Sequence, residues 1–171
     1  KDLRSEKRER KAAKEDGADS TEQQSNSYRK AVRDQYVAAV DARLAVALGS
    51  RQDFAERLVH FWANHFAISI DKIVTVGLAG NFEFDAIRPH IFGRFADLLK
   101  AASWHPAMLL YLDQAQSIGP NSMLAQRIGA RRNREIGLNE NLAREILELH
   151  TLGDRTAYSQ ADVTEFARAM T

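Results

Sequence analysis

The sequence predicts an all-α domain, an irregular multi-helix bundle with long polar loops and a charged N-terminal helical arm. Three observations predict it. Proline and glycine are sparse, three and nine residues of 171, which disfavours a turn-rich β architecture. Apolar residues recur every three or four positions along much of the chain, the spacing of one helix face. Capping signals bracket those stretches, among them Gly49, Gly153 and the pair Ser159 and Asp162. An apolar share of 44% is enough for a core, and the length suits one domain.

In chain order, residues 1–27 read as a charged arm followed by a linker, and residues 28–171 as the helical core domain. Lys1 to Asp16 interleaves both charge signs at helical spacing, and Gly17 to Ser27 is polar and poor in large apolar residues. A helix is expected from Ser27 to Leu48, where Tyr28, Val32, Tyr36, Val40 and Leu44 recur every four residues. Gly49 stops it, and Ser50 with Asp53 starts a core helix carrying Phe54, Leu58, Phe61, Trp62, His65 and Phe66. Residues 67–80 read as a loop with an isolated extended piece, because Ile68-Ser69-Ile70 and Ile73-Val74-Thr75-Val76 have β character. Phe82 to His90 reads as a short helix or turn, and Phe92 to Ser103 as an amphipathic helix. Pro106 opens the next helix, which runs to Leu112. Asp113 to Asn133 reads as a long loop. Asn139 or Asn141 caps a helix to about Leu152, with Leu142, Ile146 and Leu149 facing the core. Ser159 and Asp162 begin the last helix, with Val163, Phe166, Ala167 and Met170 as its stripe.

Composition excludes several chemistries. Without cysteine there is no disulfide, thiolate metal site or cysteine nucleophile. A net charge of +1 gives no global field toward nucleic acid, and Arg127, Arg131, Arg132 and Arg134 lack interleaved aromatics. No apolar run approaches the roughly 18 residues of a transmembrane segment. The chain begins at Lys1 rather than methionine and reads as part of a longer protein, so a targeting segment is expected outside it. Gly-rich phosphate loops, a Gly-x-Ser-x-Gly elbow, a dinucleotide fingerprint and His-Glu-x-x-His are all absent from the sequence. No motif assigns a cofactor or a metal.

Three polar constellations remain. In His60-Phe61-Trp62-Ala63-Asn64-His65-Phe66, the two histidines lie about 140° apart around the helix and cannot share one metal. His65 falls on the apolar side with Leu58, Phe61 and Trp62. It is either a satisfied core histidine or, with Asn64, part of a polar pair lining a cleft. The second constellation is Asn139-Glu140-Asn141-Leu142-Ala143-Arg144-Glu145-Ile146-Leu147-Glu148-Leu149-His150-Thr151. Asn141 with Glu145 and Arg144 with Glu148 form two polar rows one turn apart. Glu145 sits near the buried side, where an acid needs a partner or a raised pKa. The structural alternative is capping asparagines, an exposed Arg144–Glu148 pair and His150 at the negative helix end. Glu148 and His150 lack the Glu-x-x-His spacing of ferritin-like di-metal sites. The third constellation is Asp113, Gln114, Gln116, Ser117, Asn121 and Ser122 followed by the arginines, which would suit an anion or a sugar. His90 and His105, each beside a proline, read as structural.

Several of these segments resemble the bacterial family catalogued as domain of unknown function 1800. They are Glu56 to Phe66, Ile87-Arg88-Pro89-His90 with Gly93-Arg94-Phe95, His105 to Asp113, Gly119-Pro120-Asn121-Ser122, Gly137 to Gly153, and Tyr158 to Thr164. The resemblance implies a helical protein, longer at both ends, in an exported or envelope (periplasmic) setting beside a sulfatase-like partner protein. It carries over no established catalytic residue. The motif positions it marks are Trp62, Asn64, His65, Asp113, Asn121, Asn139, Glu140, Asn141, Arg144, Glu145, Glu148 and His150. Two functions are expected. One is a binding or scaffold module. The other is a hydrolase, metal-assisted or acid/base, in which Asn64 and His65 meet Glu145, Glu148 or His150 between the helices 52–66 and 140–152. Oxygen and imidazole ligands there would suit a hard or borderline metal.

Overall fold

The structure is a computed structural model. It describes the backbone of residues 3–132 and 137–171, and the side chains of residues 23–127 and 137–171. All of its regular structure is helical, and no strand occurs among the described residues. Helix α1 spans Leu3–Gly49 and α2 spans Asp53–His65. Short helices α3 (Ile73–Val76) and α4 (Ala79–Phe82) come next, and α4 continues as a π-helical segment, Glu83–Ile87, and a 3₁₀ turn, Arg88–His90. Helices α5 (Phe95–Trp104) and α6 (Pro106–Tyr111) lead to a 3₁₀ turn at Gln114–Gln116 and to α7 (Met123–Arg132). Helix α8 (Asn141–Glu145) widens into a second π-helical segment, Ile146–Thr151, before α9 (Gln160–Ala169).

The main core gathers one stripe from each central helix. Phe66, Phe82, Ile87, Leu98, Met108 and Leu142 are at most 3% exposed and pack together. Each fully buried large side chain of this kind contributes about 1.5–3 kcal/mol. A smaller cluster of Ala143, Val163 and Ala167 docks α9 onto α8. The α9 stripe and the Ser159–Asp162 capping box fall where the sequence places them. Ser159 Oγ accepts from the Asp162 N–H at 3.3 Å, and Asp162 Oδ2 accepts from the Ser159 N–H at 2.7 Å. Gly153 ends the α8 region at φ +70°, a conformation open to glycine.

Several elements differ from the sequence expectation. Helix α1 runs unbroken through 17–27, the segment that composition reads as a linker. Gly17 is the one strong helix breaker there and costs only about 1 kcal/mol, while helix on both sides favours propagation. Residues 73–76 are helical rather than extended: Thr75 is fully buried, and its hydroxyl donates to the carbonyls of Ser69 and Lys72, both at 2.7 Å, which folds the chain into a turn. Residues 123–132 form α7 instead of loop, opened by Ser122 Oγ, which accepts from the Ala125 N–H at 3.1 Å. The fifth helix starts at Phe95, and Phe92 stays outside it, 70% exposed. Phe54, Phe61 and Leu149, expected in the core, are each more than half exposed, as are Tyr28 and Leu44 of the α1 stripe. For Leu149 the cause is the π-helical segment, whose wider turn shifts the residue off the Leu142–Ile146 stripe.

One ionic junction ties three elements together. Arg88 meets Glu56 of α2 through two bonds, Nη1 to Oε1 at 2.9 Å and Nη2 to Oε2 at 3.0 Å. Its Nη2 also reaches Glu83 Oε1 at 2.9 Å. The other oxygen of Glu83 takes Arg43 Nε of α1 at 2.8 Å, and Arg43 Nη2 donates to His60 Nδ1 at 3.1 Å. The Glu83, Glu56 and Arg88 side chains retain only 7%, 12% and 16% of their exposure. The Arg88 hydrogen bonds outweigh burial and hold the Glu56 carboxyl below the usual carboxylate range. Alongside this junction α4 lies directly on α1, because Gly80 faces Ala39 with no room for a side chain. A Cβ at Gly80 would stand 2.1 Å from the Ala39 Cβ. Gly80→Ala is therefore expected to destabilise the fold by about 1–3 kcal/mol through overpacking. Urea unfolding measures it, and an unchanged midpoint would refute the close α1–α4 contact.

Candidate functional site

The two helical polar stretches do meet, through His65 and His150. Their rings lie 5.9 Å apart, and Trp62, Phe66 and Phe95 surround His65 at 5.4, 4.7 and 6.4 Å. The contact is a cap rather than a paired imidazole. His65 Nε2–H donates to the backbone carbonyl of His150 at 3.1 Å, satisfying an acceptor near the end of the α8 region. Because the partner is a carbonyl, Nε2 is a ring nitrogen that carries a hydrogen. The His150 ring is buried, and its Nδ1 has no partner among the described residues. Burial, then the neighbouring His65, push its pKa down to about 4, so it is neutral at physiological pH.

The acids divide into three environments. Glu145 is half-buried and makes no hydrogen bond among the described residues. Burial first, and then Glu148, push its carboxyl pKa up. Glu148 accepts from Arg155 Nε at 2.9 Å. Glu140 accepts from Thr164 Oγ1 and Gln160 Nε2, both at 2.7 Å, and from Arg144 Nη2 at 3.1 Å. The Arg144–Glu148 pair expected from spacing is therefore absent. Arg144 turns instead to Glu140 and to Gln160 Oε1 at 3.0 Å, because α9 brings Gln160 and Thr164 against that side of α8. Glu145 has the raised pKa that suits a proton donor. Neither a nucleophile nor a base bonds to it among the described residues, and no group of three or more His, Asp and Glu there could hold a metal.

The asparagines serve the chain end of α6. Asn139 Nδ2 donates to the carbonyls of Leu112 at 3.1 Å and Asp113 at 2.9 Å, while its Oδ1 accepts the Asn141 N–H at 2.9 Å. Asn141 Nδ2 reaches the Leu112 carbonyl at 3.5 Å. Asp113 itself adopts a left-handed conformation, φ 58°, and its carboxylate accepts from Lys72 Nζ at 2.7 Å. Lys72 Nζ also donates to the Tyr111 carbonyl at 2.8 Å. Lys72 is the residue of this knot that sequence reasoning misses, since a lone lysine in an apolar turn carries no motif. His105 is structural in the sense expected: its Nδ1 accepts the Ala107 N–H at 3.1 Å and caps α6. Asn121 stands apart from the other candidates, at a shallow surface pocket of about 300 Å³ with Pro120, Leu138, Arg168 and Thr171. Arg127 is exposed, and the side chains of Arg131, Arg132 and Arg134 lie outside the described residues.

Trp62 and Asn64 diverge. Trp62 packs inward between Phe66 and Phe95, with rings 6.0 and 5.6 Å away. Asn64 turns to a pocket of about 290 Å³ between α1, α2 and α4, which Tyr36, Arg43 and Glu83 also line. Sequence reasoning does not mark Arg43 and Glu83 as site residues. The one signal it offers is Glu83 between Phe82 and Phe84, an acid set in an apolar run.

The profile of a family described as protein of unknown function (DUF1800) matches residues 2–171. The chain belongs to DUF1800. The match takes in all of α1 as well as the segments from 56 to 164 that carry the resemblance. No curated protein and no solved structure matches the chain. Many motif positions of this DUF1800 chain thus serve as ties and caps around two helix junctions, while the side chains of Asn64, Asn121, Glu145 and His150 make no hydrogen bond among the described residues.

The buried His150 makes stability pH-dependent with a definite sign. Its folded pKa lies below the ordinary 6.5, so the unfolded chain binds the proton more readily, and stability falls as pH drops from about 6.5 toward about 4. In His150→Phe this contribution is removed. Thermal unfolding across that window should show a shallower acid loss than in the parent chain, and equal slopes would refute a buried neutral His150.

Proposed function

We propose that this DUF1800 domain is a helical binding and scaffold module of an envelope-associated protein, and that it engages a protein partner through one aromatic face. The observation that carries the reading is the outer side of α2. Phe54, Phe61 and Phe92 are 68%, 59% and 70% exposed. Phe54 and Phe61, seven residues apart, fall on the same side of α2, Phe92 meets Phe54 at 6.4 Å, and Phe61 rests on the half-buried Trp62 at 4.9 Å. Leu149 and Leu152, exposed on the neighbouring α8 region, add aliphatic surface. Grouped apolar exposure of this kind is rare unless something binds there, and aromatic side chains are the usual anchors of protein interfaces.

The capping and pairing roles of His65, Asn139, Asn141, Glu140 and Glu148 favour this reading over hydrolysis, since each already has a partner inside the fold. The family resemblance points to a sulfatase-like protein as the partner. Titration calorimetry with the sulfatase-like protein encoded beside the full-length protein tests it. Phe61→Ser, at a residue that is 59% exposed, is expected to weaken binding at least about tenfold, the loss of one anchor worth about 2 kcal/mol. Undiminished binding by Phe61→Ser and Phe92→Ser, or no binding by the parent chain, would overturn the proposal.

A further inference from the structure

The pocket that Asn64 enters shares no residue with the aromatic face. It exists because small side chains stand where three helices converge. Ala39 and Ala63 line it from α1 and α2, and Gly80 presses α4 onto α1 at its end. Larger side chains at these positions would fill the space. Val40, Ile68 and Phe82 complete apolar walls around a volume of about 290 Å³, near the lower bound of small-molecule sites, about 300 Å³.

Charge in and behind this pocket is balanced. Glu83 is held by Arg43 at 2.8 Å and by Arg88 at 2.9 Å, and Arg88 is matched in turn by Glu56 at 2.9 Å. Two cations and two anions leave no net charge to attract an ion, and each is already paired, so a charged ligand would lose its water with no unpaired counter-charge to meet it. Besides the Tyr36 hydroxyl, the uncharged polar group that lines the pocket is the Asn64 amide. It has no protein partner among the described residues and presents both a donor and an acceptor. A ligand that satisfies both at once carries a donor and an acceptor side by side, as a carboxamide does.

We infer that the pocket between α1, α2 and α4 binds a small uncharged molecule with a short aliphatic body and one amide head, the body against Ala63 and Ile68 and the head on Asn64. The experiment is ligand-observed saturation-transfer NMR on the full chain at neutral pH, with hexanamide, hexanoate and hexylamine as probes. Hexanamide should bind saturably, and the two charged probes at least about tenfold more weakly. Asn64→Leu should abolish hexanamide binding with an unchanged melting curve, since Asn64 is exposed and makes no hydrogen bond among the described residues. Ala63→Leu, which fills the cavity, should abolish it as well. The inference is overturned if hexanamide does not saturate the parent chain, if the three probes bind alike, or if Asn64→Leu binds hexanamide undiminished.

Discussion

Arg88 stands at the point where α2, the first π-helical segment and, through Glu83, α1 come together. Its guanidinium has a fork geometry that can meet one carboxylate with two parallel bonds and still reach a second. Both carboxylates need it. Glu83 lies at the core edge between Phe82 and Phe84, and a charge there without a partner would cost several kcal/mol. A well-packed apolar substitute could match the junction in stability, so what the ion pairs contribute is geometry. They set where α1 crosses the rest of the domain, and that crossing leaves the Asn64 pocket open beneath it.

Short helices explain why the remaining polar residues are used as they are. An α-helix leaves about four N–H and four C=O groups without partners at its ends. Helices α3 and α6 have four and six residues, so most of their backbone groups are end groups, while α4 and α8 are short α-helical openings of runs that continue as π-helical segments. A fold built from such pieces needs many side-chain caps. His65 on the His150 carbonyl, His105 on the Ala107 N–H, Lys72 on the Tyr111 carbonyl and Asn139 on Leu112 and Asp113 each supply one. Each satisfied pair is worth about 1 kcal/mol net, and each left open costs about 1–3 kcal/mol. Density of Asn, His and Glu in the sequence therefore marks joints of this fold as readily as it would mark chemistry.

The all-α class and the last helix are legible in the sequence because they rest on local signals: the Ser159–Asp162 box, Gly153 and the three-and-four spacing of Val163, Phe166 and Ala167. The π-helical segments are not, since one extra residue per turn leaves the apolar spacing nearly helical while rotating the residues beyond it. Leu149 goes to solvent and His150 to the interior for that reason. Periodicity also shows which face of a helix is apolar without showing what lies opposite, so Phe54 and Phe61 read as core although nothing described covers them. The approach of His65 to His150 is legible, but its chemistry depends on which atom of His150 is presented, the carbonyl rather than the ring, and spacing does not encode that. Arg43, Lys72 and Arg88 find partners across 17 to 41 residues of chain, and each is an isolated cation in the sequence.

A double-mutant cycle on Arg88 and Glu83 tests this account most directly. Arg88→Met, Glu83→Gln and the pair together would be compared by urea unfolding with the parent chain. The junction predicts a loss of about 3 kcal/mol for the single Arg88 change, because it leaves the Glu56 carboxylate without a partner and Glu83 with Arg43 alone. It further predicts that the double variant loses less than the sum of the singles, with a coupling of about 1–3 kcal/mol. Losses that add within about 0.5 kcal/mol would mean that the two groups do not act together, and would contradict the junction as the element that sets the fold.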